Sequence, residues 1–139
     1  MGYAFLLLLL FSVYIWHWSP SVHVVKRVIG ISMVELQDGE IIRYIGVDDE
    51  VIYPNAVELH RNLVENKRVE LEFDILEEDE QGRMWAYLTL DGLMINEWLV
   101  ANGYTRASFS PPNMKHADRI LQMEEEAQRL GIGIWEKEE

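Results

Sequence analysis

The chain has 139 residues, of which 24 are acidic and 12 are lysine or arginine, for a formal net charge of −12. A chain of this length builds one domain with a buried core. The acidic excess opposes binding to a phosphate backbone, which is driven by cationic side chains and counterion release, and the absence of cysteine excludes disulfides, thiolate catalysis and cysteine-ligated zinc.

Residues 3–18 are apolar except at Ser12 and His17, with an unbroken leucine run from Leu6 to Leu10. A membrane-spanning helix needs ~20 apolar residues, with roughly 17 as the lower limit, so this run lies near the limit. Tyr14, Trp16 and Trp18 at its far end suit a membrane–water interface. No Lys or Arg precedes the run, and no small-x-small cleavage site follows it in His17-Trp18-Ser19-Pro20-Ser21. The expectation is an uncleaved apolar anchor helix over residues 1–20, and the missing polar face argues against a buried core helix. Residues 21–139 then form a soluble, extracytoplasmic domain on a membrane-anchored protein, or a secreted one if the N-terminus is removed.

Past the anchor the chain reads as short strands. His23–Val28 is rich in branched residues, Gly30 permits a turn, and Met33–Leu36 starts a second strand. Asp38-Gly39 is a two-residue hairpin signal, with Ile41–Val47 as the return strand. That strand carries Arg43 and leaves through Asp48-Asp49-Glu50, an arrangement suited to a phosphate and a metal ion. Pro54-Asn55 precedes a helical pattern, with Asn55 expected to cap it, Glu58 to close a capping box, and Ala56, Leu59, Leu63 and Val64 to share one face. Arg68–Phe73 alternates as a half-buried strand, Glu77–Gln81 reads as an acidic loop, and Arg83–Leu90 is another strand ending at a second hairpin signal, Asp91-Gly92. Ile95–Asn102 is a short helix stopped by Gly103, and Ser110-Pro111-Pro112-Asn113 a rigid, extended linker. The last helix runs from about Met114 to Leu130, with Ala117, Ile120, Leu121, Ala127 and Leu130 on its apolar face, Asp118 and Glu124–Glu126 on its wet face, and Gly131 as its stop. This order predicts an α+β, mainly β, fold: a small closed or nearly closed barrel with helices packed on it.

The four histidines share no metal-ligand spacing. Trp85, Trp98 and Trp135 have ordinary packing roles, with Trp85 alternatively lining a ligand groove.

From about Val24 to Trp135 the chain resembles the staphylococcal-nuclease-like (thermonuclease) family. The matching pieces are IIRYIGVD at Ile41–Asp48, AVELHRNLVENKRVELEFD at Ala56–Asp74, DEQGRMWAYLTLDGLMINEWLVANGY at Asp79–Tyr104 and LGIGIWEKE at Leu130–Glu138. The resemblance implies a five-stranded OB-type barrel with three packed helices, and calcium-dependent phosphodiester hydrolysis of DNA and RNA. In that family two aspartates hold the cation, a glutamate acts as general base, and two arginines stabilise charge on the phosphate. The strand arginine falls on Arg43, the second arginine on Arg83 after Gly82, and the strand-end aspartate on Asp48. The family's D-G-D-T turn falls on Ile29-Gly30-Ile31-Ser32, which puts Ile31 at a metal-ligand position. Its T-P-E step falls on Asp49-Glu50-Val51, which puts Val51 at the base position unless a deletion brings Glu50 there. Phe109 stands for the first of two tyrosines near the site.

Calcium takes six to eight oxygen ligands, and isoleucine supplies none. Two functions follow. In the first, the domain is tethered through residues 3–18, has lost hydrolysis, needs no cofactor, and is a binding or scaffold module for a protein or an anionic ligand through Arg43, Arg83 and Phe109, with nucleic acid disfavoured by the acidic charge. In the second, it is a calcium-dependent DNA/RNA endonuclease whose metal site is rebuilt from Asp48 and Asp49, with Glu50, Arg43 and Arg83 catalytic. Asp48-Asp49-Glu50 also reads as a solvated turn, and the two arginines as structural partners of Asp48 or of the Glu77–Glu80 run.

Overall fold

The computed structural model describes residues 22–138. The expected anchor lies outside them, and among the described residues no helix is long and apolar enough to cross a membrane. Strands β1 (His23–Val28), β2 (Met33–Leu36) and β3 (Ile41–Tyr44) form an antiparallel meander. Strand β5 (Arg68–Glu78) pairs antiparallel with β1 on one side and with β6 (Met84–Leu90) on the other. The ring closes where β3 and β6 run parallel, with Ile42, Arg43 and Tyr44 opposite Met84, Trp85 and Ala86. This is the five-stranded OB-type barrel expected from the sequence, with three helices: α1 (Ala56–Val64), α2 (Ile95–Ala101) and α3 (Ala117–Leu130). Short strands β4 (Gly46–Val47) and β8 (Ala107–Ser108) make a separate pair, and β7 (Leu93–Met94) folds back antiparallel on the end of β6.

Alternation places Val25, Val34, Leu36, Ile42, Tyr44, Ala86 and Leu88 inside, where Ile95 and Leu99 of α2 meet them. Each buried Val, Leu or Ile contributes roughly 1.5–3 kcal/mol. A second cluster, Ile45, Tyr87, Val100 and Ile120, joins the barrel to α2 and α3.

Several local expectations are corrected. The Asp38-Gly39 connection has three residues, not two: Gly39 N–H donates to the Leu36 carbonyl (3.0 Å) and Leu36 N–H to that of Glu40 (2.8 Å), with Gly39 at φ 91°, the geometry of a type I turn followed by a left-handed bulge residue. Asp91-Gly92 is the two-residue turn expected, both residues having positive φ. The return strand breaks after Tyr44. Gly46 sits at φ 80°, and the Phe109 ring fills the space where a Cβ would lie, 2.4 Å from it, so the chain swings away to pair with β8.

Asn55 does not cap α1 with its side chain. It lies in the left-handed region at φ 66°, its carbonyl accepts Leu59 N–H, and Glu58 pairs with Arg61 instead of closing a box. The buried face is Ala56, His60 and Val64, and Leu59 is 42% exposed. Strand β5 runs through Glu78, so Glu77 and Glu78 of the expected acidic loop are sheet. Ser110–Asn113 is a turn rather than an extended linker, with a cis Pro111–Pro112 bond and Asn113 N–H on the Ser110 carbonyl (3.1 Å). Helix α3 starts at Ala117, leaves Leu121 and Leu130 exposed, and uses Glu124 to accept Ala107 N–H, which fastens β8.

The displaced position on α1 belongs to His60, which is fully buried. The Tyr44 hydroxyl lies 2.8 Å from its Nε2, and its Nδ1 lies 3.2 Å from the Gly30 carbonyl. With Nδ1–H donating to Gly30 and Nε2 accepting from Tyr44, the neutral ring satisfies both partners. Burial pushes its pKa down from 6.5 to about 4, against the raising effect of the Gly30 hydrogen bond. The unfolded chain therefore takes up a proton between about pH 6.5 and pH 4 that the folded chain refuses, so stability falls as pH drops through that window, by roughly 3 kcal/mol in full. Urea unfolding of the full chain across this window should show the loss, and His60→Gln should flatten it. Parallel profiles for the two proteins would exclude His60 as the cause.

Candidate functional site: an arginine cleft at the barrel closure

The parallel pairing of β3 with β6 brings together two arginines that are far apart in the chain. Arg43 is central in β3 opposite Trp85, and Arg83 immediately precedes β6. The guanidinium carbon of Arg43 lies 5.3 Å from the Trp85 ring centroid, within cation–π range. Arg83 Nη1 donates to the sulfur of Met33 at 3.1 Å, and Met33 is the β2 residue opposite Arg43.

Both guanidiniums converge on Asp79. Its Oδ2 accepts Arg83 Nε at 2.6 Å and lies 3.8 Å from an Arg43 nitrogen. Its Oδ1 accepts the backbone N–H groups of Gln81 and Arg83, each at 2.9 Å. The side chain is only 2% exposed. Burial alone would raise its pKa, but the Arg83 backbone N–H, the Arg83 guanidinium and the Gln81 N–H outweigh that and hold the carboxyl below its usual range. The local cause is a turn in which Asp79 N–H bonds the Arg83 carbonyl and Gly82 N–H the Asp79 carbonyl. An aspartate at the head of such a turn accepts the donors that follow it. Its position three residues before Gly82-Arg83 was the available signal, and the surrounding carboxylates hid it.

A cleft of about 390 Å³ opens over this group, walled by Arg43, Arg83, Trp85, Leu76 and Pro111 and rimmed by Glu78 and Glu80. Two guanidiniums there face three carboxylates, counting Asp79.

The other expected site residues lie elsewhere. Asp48, at the exit of β4, accepts Glu50 N–H on Oδ1 (3.0 Å) and faces Arg106 with Oδ2 (3.3 Å), while its own N–H donates to the Arg106 carbonyl. The Thr105 hydroxyl lies 2.8 Å from both the Asp48 and Val51 carbonyls. Asp49 and Glu50 are exposed, Val51 is half-buried, and none of these lines the cleft. Ile31 is folded into the barrel core with Val28 and Val34. Phe109 packs on Gly46 and on the Ile45–Tyr87 cluster rather than in the cleft.

This donor set does not fit calcium. Ile31 and Ser32 carry no carboxylate, Asp48 is engaged by Arg106, and among the described residues no three His, Asp or Glu side chains are placed to hold a metal ion. What the cleft can do is hold a ligand between an aromatic wall, an aliphatic wall and fixed charges of both signs.

Asp79→Ala would strand two backbone donors and both guanidiniums. It should cost about 2–3 kcal/mol in urea unfolding, against less than about 0.5 for the exposed Glu80→Ala. Equal effects at the two positions would rule out the clamp.

The family model described as "Staphylococcal nuclease homologue" matches residues 52–137. A thermonuclease of Staphylococcus intermedius is 38% identical over 83% of this chain and 76% of its own length. One from Staphylococcus hyicus is 36% identical over 81% and 73%. Endonuclease YncB of Bacillus subtilis (strain 168) is 29% identical over 81% and 64%. With this barrel, this family match and relatives of this identity across most of both chains, the chain belongs to the staphylococcal nuclease family.

Proposed function

We propose that this chain is a membrane-tethered staphylococcal-nuclease-type domain that has lost calcium-dependent hydrolysis and works as a binding module through the Arg43–Arg83–Trp85 cleft. The observation that carries the reading is the state of the one carboxylate retained at a metal position. Asp48 is held by Arg106 and by its own turn, while Ile31, at the partner position, is buried in the core. Hydrolysis by the route the family resemblance implies uses a cation to offset charge and a base to activate water. Val51 brings methyl groups to the position of the base. The acidic balance of −12 supports a partner other than nucleic acid. The tether rests on the apolar residues 3–18 and their interfacial aromatics.

A second reading, a calcium-dependent DNA/RNA endonuclease with a site rebuilt from Asp48, Asp49 and Glu50, draws support from relatives described as thermonucleases and an endonuclease. It requires Asp48 to leave Arg106.

The full chain in detergent, given labelled single-stranded DNA with calcium or with a chelator, should show no calcium-dependent cleavage and no calcium binding at millimolar concentration. Calcium-stimulated cleavage abolished by Arg43→Ala and Arg83→Ala would establish the second reading in its place. For the tether, the full chain should partition into the detergent phase on cloud-point separation. Recovery in the aqueous phase would remove it.

A further inference from the structure

Strand β5 carries extra residues where it faces β6. Phe73 is opposite Ala86 and Glu78 opposite Met84, so the residues between bulge outward. The bulge is held firmly. Asp74 Oδ1 accepts Ile75 N–H at 2.8 Å, and its Oδ2 accepts the Tyr87 hydroxyl and Lys115 N–H. The buried Asn113 closes both backbone groups of Leu76, taking its N–H at 2.8 Å and giving to its carbonyl at 2.9 Å. With these backbone groups held, the bulge presents Ile75 and Leu76 to water, 71% and 46% exposed. Neighbouring aliphatic side chains on a fixed backbone gain nothing inside the fold, and such a patch gains free energy when a partner covers it.

Leu76 is also a wall of the cleft, next to Trp85 and Pro111. The charge around it is unbalanced. Glu77, Glu78 and Glu80 form no ion pair among the described residues, whereas both guanidiniums already share Asp79. The field at the rim is therefore negative. It repels phosphate and draws cations.

We propose that the cleft and the β5 bulge together bind a basic segment of a partner protein, with an aliphatic side chain against Ile75 and Leu76 and lysine or arginine side chains on Glu78 and Glu80. The proposal rests on the binding-module reading and commits it to a cationic polypeptide rather than an anionic ligand. The Asp79–Arg83 pair stays closed throughout, with Arg43 on Trp85 as part of the floor.

The test is a selection of displayed random peptides on the full chain in detergent micelles, after subtraction on empty micelles. The enriched peptides should combine lysine or arginine with a neighbouring aliphatic residue. A synthetic peptide of that consensus should bind less tightly as salt rises. It should weaken about tenfold or more against Leu76→Asp and against Glu78→Lys with Glu80→Lys, all exposed or rim positions whose thermal melts confirm folding. An acidic or uncharged consensus, no enrichment, or binding that survives both variants would overturn the proposal. So would displacement of the peptide by single-stranded DNA whose own binding is lost in Arg43→Ala. The cleavage assay is independent of this selection, so a failed selection without cleavage sinks the peptide proposal alone, and calcium-dependent cleavage sinks the reading beneath it.

Discussion

Strands β3 and β6 are parallel neighbours, and parallel strands cannot be joined by a tight turn. The chain between them leaves the barrel to build α1 and returns through β5, itself a barrel strand. The ladder Ile42, Arg43, Tyr44 against Met84, Trp85, Ala86 closes the ring and leaves no open edge in it. The buried Asn96 of α2 secures the place where this pairing ends. Its amide accepts Leu88 N–H and donates to the carbonyls of Ile45 and Ala86 (2.9, 2.8 and 3.2 Å). One buried side chain thus ties β6 to the end of β3 where that strand breaks. The arginine cleft is a by-product of this closure, because Arg43 and Arg83 share no other element.

The same break separates the expected phosphate and metal residues. Arg43 stays in the barrel wall. Past Gly46 the chain belongs to the β4–β8 pair, and Asp48 is tied into that pair through the Arg106 backbone and side chain. A carboxylate fixed by a guanidinium and by its own turn contributes little charge to a cation site. Meanwhile Asp79 offsets the two arginines from beneath. The cleft therefore has neither the concentrated negative charge that a metal needs nor the unopposed positive charge that a phosphate needs.

Much of the barrel was legible because its signals are local. Alternation marked the first half of β5, Asp91-Gly92 marked a two-residue turn, and Gly103 and Gly131, both at positive φ, marked helix ends. Non-local matters were not legible. Asn55 carries a cap residue's chemistry, yet its left-handed backbone aims the side chain away from the helix donors. Leu59 had the right spacing for the core and lost its place to His60, because only the tertiary fold brings Tyr44 and the Gly30 carbonyl to satisfy an imidazole there. Asp79 was one carboxylate in an acidic run, and nothing in composition distinguished the buried one from its exposed neighbours. The resemblance named Arg43, Arg83 and Asp48, which the fold places in β3, just before β6 and just after β4, but a place in the chain does not say which partner a charged side chain will find.

Retention of both arginines is weak grounds for retained catalysis, and the reason is energetic. Arg83 donates to a carboxylate that is nearly inaccessible to water, and Arg43 covers Trp85. Replacing Arg83 with a neutral residue would leave Asp79 buried without its guanidinium partner, a change that costs several kcal/mol in comparable pairs. The fold therefore demands the guanidinium whether or not a phosphate ever arrives. No such demand protects a carboxylate at position 31, where a branched aliphatic side chain packs against Val28 and Val34 and stabilises the core directly. On the proposed reading, a barrel freed from hydrolysis sheds carboxylates and keeps arginines, in keeping with Ile31 in the core and Arg43 and Arg83 around Asp79.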